Sequence, residues 1–171
     1  LYMHFYIEHN RGHHKNVATY NDPSSARYNE VIYLFYFRTI IKSYLSAWHI
    51  ANNEMRKKDK KPFSIFNEML QFQLIQIGFI VLIYFIFGGL ITFYFLGAAF
   101  IGILLLETVN YIEHYGLKRE QLENGQYART QPEHSWNNNN LVTNLFLYQL
   151  QRHSDHHAYP TRSFQTLRNY D

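Results

Sequence analysis

The chain has 171 residues, of which 47% are hydrophobic and 18% are aromatic, and its formal net charge is +3. The absence of cysteine excludes a disulfide framework, a Cys-ligated iron–sulfur cluster and a thiolate-ligated haem. Any redox partner of those types must be a separate chain.

The N-terminal segment, residues 1–20, contains the first histidine cluster, Glu8-His9-Asn10-Arg11-Gly12-His13-His14. On an α-helix, His9 and His13 lie one turn apart on one face. His14 points about 100° away from His13 and is able to reach a second metal ion. Imidazole suits Fe, Zn, Cu and Ni. His4 is a candidate for supporting a ligand through a hydrogen bond.

Residues 28–53 mix apolar side chains with Arg38 and Lys42, and we predict an amphipathic helix that lies in the membrane interface. Arg38, Lys42 and His49 fall close to one helical stripe. Because such a helix does not cross the membrane, the clusters before and after it stay on the same side. His49 itself is interpreted as an ordinary surface residue.

The 38-residue run from Met69 to Leu106 contains no Asp, Glu, Lys or Arg. One transmembrane helix needs about 20 residues, so this run predicts a transmembrane hairpin over 69–106, with its turn at Gly88-Gly89. The alternative is a buried hairpin of a soluble protein. Neither half shows the polar face that a soluble amphipathic helix presents to water.

Basic residues flank this run on both sides: Arg56, Lys57, Lys58, Lys60 and Lys61 precede it, and Lys118 and Arg119 follow it. By the positive-inside rule, both ends of the hairpin lie in the cytoplasm. This placement favours a membrane anchor over a nucleic-acid-binding surface, which would interleave basic and aromatic residues along a groove.

The last third of the chain carries two more histidine clusters. Residues 110–117 include Glu113-His114, residues 118–140 are a polar cytoplasmic loop, and residues 141–171 hold His153-Ser154-Asp155-His156-His157 and a tail. Helical periodicity over Leu141 to Arg152 predicts a helix that continues into this last cluster and is ended by Pro160. His134, in the loop, is interpreted as an ordinary hydrogen-bonding residue.

The histidine clusters together predict a polynuclear metal site. His153, His156 and His157 have the i, i+3, i+4 spacing of a single helical stripe. A structural zinc ion is saturated by four ligands, so seven candidate ligands point to two ions, the seven being His9, His13, His14, His114, His153, His156 and His157. Glu8, Glu113 and Asp155 each precede a ligand, and we expect each to accept an N–H from a histidine of another cluster.

Three segments together resemble the integral-membrane alkane 1-monooxygenases: Glu8 to His14, Asn110-Tyr111-Ile112-Glu113-His114-Tyr115-Gly116-Leu117, and Leu150 to His157. The Asn-Tyr-x-Glu-His-Tyr-Gly element is the most specific, because the wider membrane desaturases and hydroxylases share only the histidine motifs. His134-Ser135-Trp136-Asn137 and Pro160-Thr161-Arg162 are similar to that family as well.

The resemblance implies an all-α integral membrane helical bundle with a cytoplasmic, histidine-rich diiron site, in the bacterial inner membrane. It implies hydroxylation of the terminal carbon of medium- or long-chain n-alkanes with O2, using electrons from rubredoxin and its reductase, and it makes the seven histidines iron ligands. The family's first motif, a His-Glu-x-x-His pair, is absent from this sequence. We therefore expect a fragment of a single catalytic domain, in which no signal peptide is visible.

Two other interpretations remain open. The same scaffold serves fatty-acyl desaturases and hydroxylases of xylene or terpene side chains, which differ in substrate. A non-catalytic membrane protein that binds or transports metal is also compatible with clustered histidines. Such a transporter needs polar or ionisable residues through its spans, and the run from Met69 to Leu106 offers no charge.

Overall fold

The computed structural model describes residues 1–170. The regular secondary structure in these residues is helical, and no strand is present among them. A single antiparallel bridge pairs Gln121 with Tyr127. The first helical stretch, α1, consists of α-helical His4–Glu8, π-helical His9–His13 and α-helical His14–Asn16. The other elements are α2 (Ile32–Lys57), α3 (Glu68–His114), α4 (Leu141–Phe146), α5 (His153–Ala158) and two 3₁₀ turns, Pro132–His134 and Phe164–Thr166.

Helix α3 is broken at Gly88, whose φ of 79° and ψ of 172° are not helical. A residue with a Cβ rarely adopts such a conformation, so glycine is needed here. The ring centroids of Phe79 and Phe95 lie 5.7 Å apart. In one continuous helix these two residues would be about 24 Å apart, because each residue adds about 1.5 Å. The two halves of α3 therefore fold back on each other.

Asn67 starts α3 by capping its first turn. Its Oδ1 accepts hydrogen bonds from the backbone N–H groups of Met69, at 2.9 Å, and Leu70, at 3.4 Å. Such a cap satisfies donors that have no partner within the helix. The same side chain donates through Nδ2 to Asn52 Oδ1 at 2.9 Å, so the start of α3 is fixed to α2.

Helix α3 is long and apolar enough to cross a membrane, and it is the one helix among residues 1–170 that meets this criterion. Most of its apolar side chains are exposed, including Leu74, Phe85 and Leu105. An apolar surface of this extent requires either lipid or a partner. Whether its two halves cross a bilayer separately, as the sequence predicts, stays a prediction.

Helix α2 buries a narrow stripe of mostly small side chains every fourth residue: Phe35, Thr39, Ser43, Ala47, Ala51 and Met55. Small residues let neighbouring helices approach closely. Ile7 of α1 and Met69 of α3 pack there against Ala47 and Ala51. This small core packs α1, with its histidines, against α2 and the first turn of α3. The opposite side of α2 leaves large apolar side chains exposed, among them Leu34, Phe37 and Ile41.

Glu107 of α3 connects the N-terminal residues and α2 to α3. It is fully buried and accepts hydrogen bonds from Tyr2 at 2.9 Å, from Thr39 at 2.9 Å and from Asn110 at 3.2 Å. A buried carboxylate is tolerated when it is hydrogen-bonded in this way. The contacts give Glu107 a bridging position between the N-terminal residues, α2 and α3.

The prediction of one helix from Leu141 to Arg152 is wrong. Helix α4 ends at Phe146, and Tyr148 and Gln149 have φ values of 49° and 60°, which an α-helix cannot accommodate. A new helix starts at His153. Because of this break, α5 is a separate helix and not a continuation of α4. Helix α5 ends at Ala158, shortly before Pro160, as the sequence predicts.

Candidate metal centre

Four histidines from three distant segments form a fully buried group. His13, His114, His153 and His157 are at most 2% exposed, and one nitrogen of each lies within 4.8 Å of the others. The Nε2 atoms of His13 and His157 are 3.2 Å apart, those of His114 and His153 are 3.1 Å apart, and those of His153 and His157 are 2.9 Å apart. We call these four residues the buried group.

Three further histidines, His9, His14 and His156, form a second, half-buried group with the same convergence within 4.8 Å. The Nε2 atoms of His9 and His14 are 3.1 Å apart. The two groups adjoin, because the ring centroids of His14 and His157 are 4.6 Å apart. The structure thus brings all seven predicted candidates together, and it divides them four to three.

The division of the first cluster differs from the expected one, in which His9 and His13 shared a face and His14 pointed elsewhere. Here His9 and His14 share a group, and His13 belongs to the other. The cause is the π-helical turn His9–His13, in which the N–H of His14 donates to the carbonyl of His9. Residues five apart point about 140° away from each other in an α-helix. A π-turn brings them onto the same side, and such turns occur frequently at functional sites.

Helix α5 also divides its histidines instead of aiming all three at one point. His153 and His157, four residues apart, both contribute to the buried group, whereas His156 faces the half-buried group. Adjacent residues of an α-helix point about 100° apart, so His156 and His157 diverge. One short helix consequently supplies both groups.

The buried group fits a metal ion by the chemistry of its nitrogen atoms. A neutral imidazole has one N–H and one lone pair, so few protons are available where four Nε2 atoms converge. A cation at their centre satisfies every lone pair at once. Four imidazole nitrogens bound tetrahedrally at about 2.0–2.1 Å are separated by about 3.3 Å. The observed separations of 2.9 to 3.2 Å are close to that value.

Burial keeps most of these imidazoles neutral, which is the form that binds metal. Burial lowers the pKa of His14 to about 3, with a further contribution from His156. It also lowers the pKa of His9, His153, His156 and His157 below the ordinary value.

His13 is the exception among the candidate ligands outside α3. Burial acts to lower the pKa of its imidazole, but the neighbouring Asp22 carboxylate outweighs burial and raises the pKa above the ordinary value. Asp22 Oδ2 lies 2.8 Å from His13 Nδ1, and both side chains are fully buried. Asp22 was not identified from the sequence, because the segment Asp22-Pro23-Ser24-Ser25 contains no pattern that predicts a contact with His13.

The three carboxylates that were expected to accept an N–H from a histidine behave differently. Glu113 does approach a histidine of another cluster, His153, but at Nε2, the converging nitrogen, at 3.2 Å. Glu8 is buried, and among the described residues it forms no hydrogen bond to a histidine. Its nearest polar partner is Ser46 at 3.5 Å, and burial, followed by the charge of Asp22, raises its pKa to about 8.

The expectation for Asp155 is wrong. Its fully buried carboxylate accepts hydrogen bonds from Arg162 Nη1 at 2.5 Å, from the backbone N–H of Arg168 at 2.9 Å and from Tyr170 at 3.0 Å. On α5, Asp155 points away from the histidines that flank it, because neighbours diverge by about 100°. Its observed role is to fix the C-terminal tail to α5.

The remaining three histidines lie outside both groups. His4 is buried, with its ring edge-on to Tyr44 at 5.1 Å. The exposed His49 hydrogen-bonds Asn53 at 2.8 Å, and His134 accepts from the backbone N–H of Gln131 at 2.8 Å. The positions of His49 and His134 agree with the ordinary roles predicted for them.

A cavity of about 310 Å³ adjoins the buried group through Glu113, whose side chain lines it. Apolar side chains of α3 and of the segment after α4 form much of its wall, including Val109, Ile112 and Leu147, and Trp136 also lines it. The carboxylate of Glu113 therefore lies between this cavity and His153.

Comparison with known proteins agrees with this arrangement. The fatty acid desaturase family model matches residues 1–171. Alkane 1-monooxygenase of Acinetobacter baylyi is 55% identical over 170 residues, which is 99% of this chain and 42% of that protein. Alkane 1-monooxygenase 2 of Pseudomonas aeruginosa is 46% identical over 99% of this chain and 45% of its own length.

A more distant relative is the xylene/toluene monooxygenase hydroxylase component of Pseudomonas putida, 24% identical over 95% of this chain and 42% of its own length. The chain spans less than half the length of each of these curated relatives. The family match and the apolar helix α3 both indicate a membrane protein. The resemblance to alkane 1-monooxygenases is confirmed, and the chain belongs to the fatty acid desaturase family.

Proposed function

We propose that the complete protein is a non-haem diiron monooxygenase that hydroxylates the terminal carbon of medium- or long-chain n-alkanes with O2. The observation that carries this proposal is the convergence of seven histidines on two adjoining groups, in which His13 and His157 meet across a sequence separation of 144 residues. The names of the relatives supply the substrate class. Of the two oxygen atoms, one enters the alcohol and the other leaves as water, which consumes two electrons and two protons.

The ligand assignment follows the two groups. His13, His114, His153 and His157 would hold one iron ion. His9, His14 and His156 would hold the other, together with histidines of the first motif that the resemblance implies and this sequence lacks. When bound, the two iron ions supply the activation of O2 and the oxidising power needed to break a methyl C–H bond.

The chain's own residues prepare this site in three ways. Burial keeps most of the imidazoles neutral, so their lone pairs are available to cations. The π-helical turn and α5 each direct side chains to both groups, which holds the two ions close to each other. The surrounding core excludes water from the buried group, and a dry site protects a reactive centre from side reactions.

An alkane has no polar group, so the protein must hold it by shape and apolar contact. The cavity of about 310 Å³ beside Glu113 offers apolar walls at Val109, Ile112 and Leu147 next to the buried group. We place the reacting end of the chain there. The large exposed apolar surface of α3 supports delivery of such a substrate from the lipid phase.

We place the site on the cytoplasmic face of the bacterial inner membrane. The basic residues that precede α3 and the pair Lys118-Arg119 that follows it support this orientation by the positive-inside rule. A cytoplasmic site is accessible to a soluble electron donor. With no cysteine in these residues to ligate an iron–sulfur centre, rubredoxin with its reductase is the proposed donor.

Product analysis tests the substrate class. The complete protein, in membranes with rubredoxin and its reductase, is offered an n-alkane, a fatty acid and an alkylbenzene in parallel. We expect a primary alcohol from the n-alkane as the main product. A double bond introduced into the fatty acid, or oxidation of the alkylbenzene side chain alone, would contradict the proposal and favour the desaturase or xylene-type interpretation.

A further inference from the structure

We propose that Asp22 is a positioning residue of the buried metal group, which holds the proton of His13 on Nδ1 and makes the two metal ions inequivalent. The proposal rests on metal binding by the two groups. It is independent of which substrate the protein oxidises.

The contact between Asp22 and His13 fixes one tautomer. Asp22 Oδ2 lies 2.8 Å from His13 Nδ1, and both residues are at most 1% exposed. A carboxylate accepts hydrogen bonds, so Nδ1 is the protonated nitrogen and the lone pair resides on Nε2. That nitrogen is the one that faces His157 at 3.2 Å in the buried group. A carboxylate in this position orients a ligating imidazole and makes it a stronger donor to the metal.

Asp22 is itself held in place by its own loop. Ser25 Oγ donates to Oδ2 at 2.5 Å, and the backbone N–H of Ser24 donates to Oδ1 at 3.0 Å. Arg38 of α2 fixes the same loop by donating to the carbonyl oxygens of Pro23, at 2.8 Å, and Ser25, at 3.0 Å. These contacts hold the carboxylate independently of the histidines, which is the condition for positioning.

No other histidine of the two groups has such support among residues 1–170. The Nδ1 atoms of His9, His14, His153 and His157 are buried without a hydrogen-bond partner in the described structure. His114 Nδ1 faces the hydroxyl of Ser135 at 3.5 Å, a long contact with a neutral group. A carboxylate is thus hydrogen-bonded to Nδ1 of an imidazole in the buried group, and among the described residues none is hydrogen-bonded to His9, His14 or His156. The ion in the buried group should be held more tightly and be more electron-rich than its neighbour.

The test is Asp22→Asn in the complete protein loaded with ⁵⁷Fe, examined by Mössbauer spectroscopy and by stepwise removal of iron with a chelator. We expect one of two iron signals to shift and its ion to be lost first, with affinity reduced by about 10- to 100-fold. The other signal should stay unchanged. His114→Ala, which removes a ligand of the buried group, identifies the signal that belongs to that group.

Asp155→Asn is the matched control, because it changes a fully buried carboxylate whose hydrogen bonds go to Arg162, Arg168 and Tyr170 and not to a histidine. It should lower thermal stability and leave both iron signals in place.

Ser25→Ala removes one donor to Asp22 and should shift the signal of the buried group by a smaller amount than Asp22→Asn does. This variant provides a result even if Asp22→Asn does not fold. Equal shifts in both signals, no shift from Ser25→Ala, or the same shift from Asp155→Asn would overturn the proposal. A protein that passes this test and oxidises no alkane would refute the proposed function alone.

Discussion

His13 and His14 are neighbours in the chain, yet they belong to different groups of the proposed metal centre. The same holds for His156 and His157. Their identity as metal-binding candidates is readable from the sequence, because three clusters of imidazoles at helical spacing have few other uses. Their assignment to one ion or the other is not readable, because it depends on the pitch of a single turn and on where a short helix begins.

Carboxylates are harder to assign than histidines at this scale. Glu8, Glu113 and Asp155 are adjacent to candidate ligands in sequence, and adjacency on a helix directs a side chain away from its neighbour's metal. Asp22 reaches His13 from a loop nine residues away. The contact between Asp22 and His13 forms because that loop is held by Ser24, Ser25 and Arg38. No periodic pattern in the sequence predicts this contact.

Replacing His156 by Ala in the complete protein should abolish hydroxylation. The loss of one imidazole from the half-buried group weakens the hold on one ion, so the iron content should fall from two to about one per chain. Product formation, iron content and membrane insertion are the measurements. His49→Ala is the control, because His49 is exposed, hydrogen-bonds Asn53 and belongs to neither histidine group. Retained turnover and full iron content in His156→Ala would remove His156 from the ligand set.

At the scale of elements, the π-helical turn of α1 is the feature that the sequence did not predict. Its position between α2 and α3 depends on close packing at Gly12, where an added Cβ would meet the carboxylate of Glu8 and lie 3.3 Å from Ile50 Cδ1. Helix positions were predicted well where apolar runs are long, as in α3. Prediction failed over Leu141 to Arg152, where Tyr148 and Gln149 adopt positive φ despite helical periodicity.

Gly12→Ala should therefore destabilise α1 and loosen both histidine groups. Overpacking of a buried site costs about 1–3 kcal/mol, and here it would displace the turn that separates His13 from His14. Thermal unfolding and iron content of the complete protein are the measurements. Gly102→Ala is the matched control, because a Cβ there meets nothing within 4 Å. Equal effects of the two substitutions would show that the close approach at Gly12 is unimportant.

For the whole molecule, the fold has one consequence that no single segment shows. Folding α3 back at Gly88 returns its C-terminal end, with His114, to the side where α1 and α2 pack. Helix α5 then completes the buried group from beyond the break that follows α4. The all-α class and the hairpin were predictable from composition and length. How α1, α2, α3 and α5 pack together was not predictable, because it depends on tertiary contacts that the periodicity of the sequence does not specify.

Metal analysis with Mössbauer spectroscopy of the complete, ⁵⁷Fe-loaded protein would decide whether the two adjoining histidine groups hold a pair of iron ions. The arrangement of four and three histidines predicts two irons per chain, seen as two inequivalent signals of equal area. A single zinc ion per chain, or a single iron signal, would contradict it.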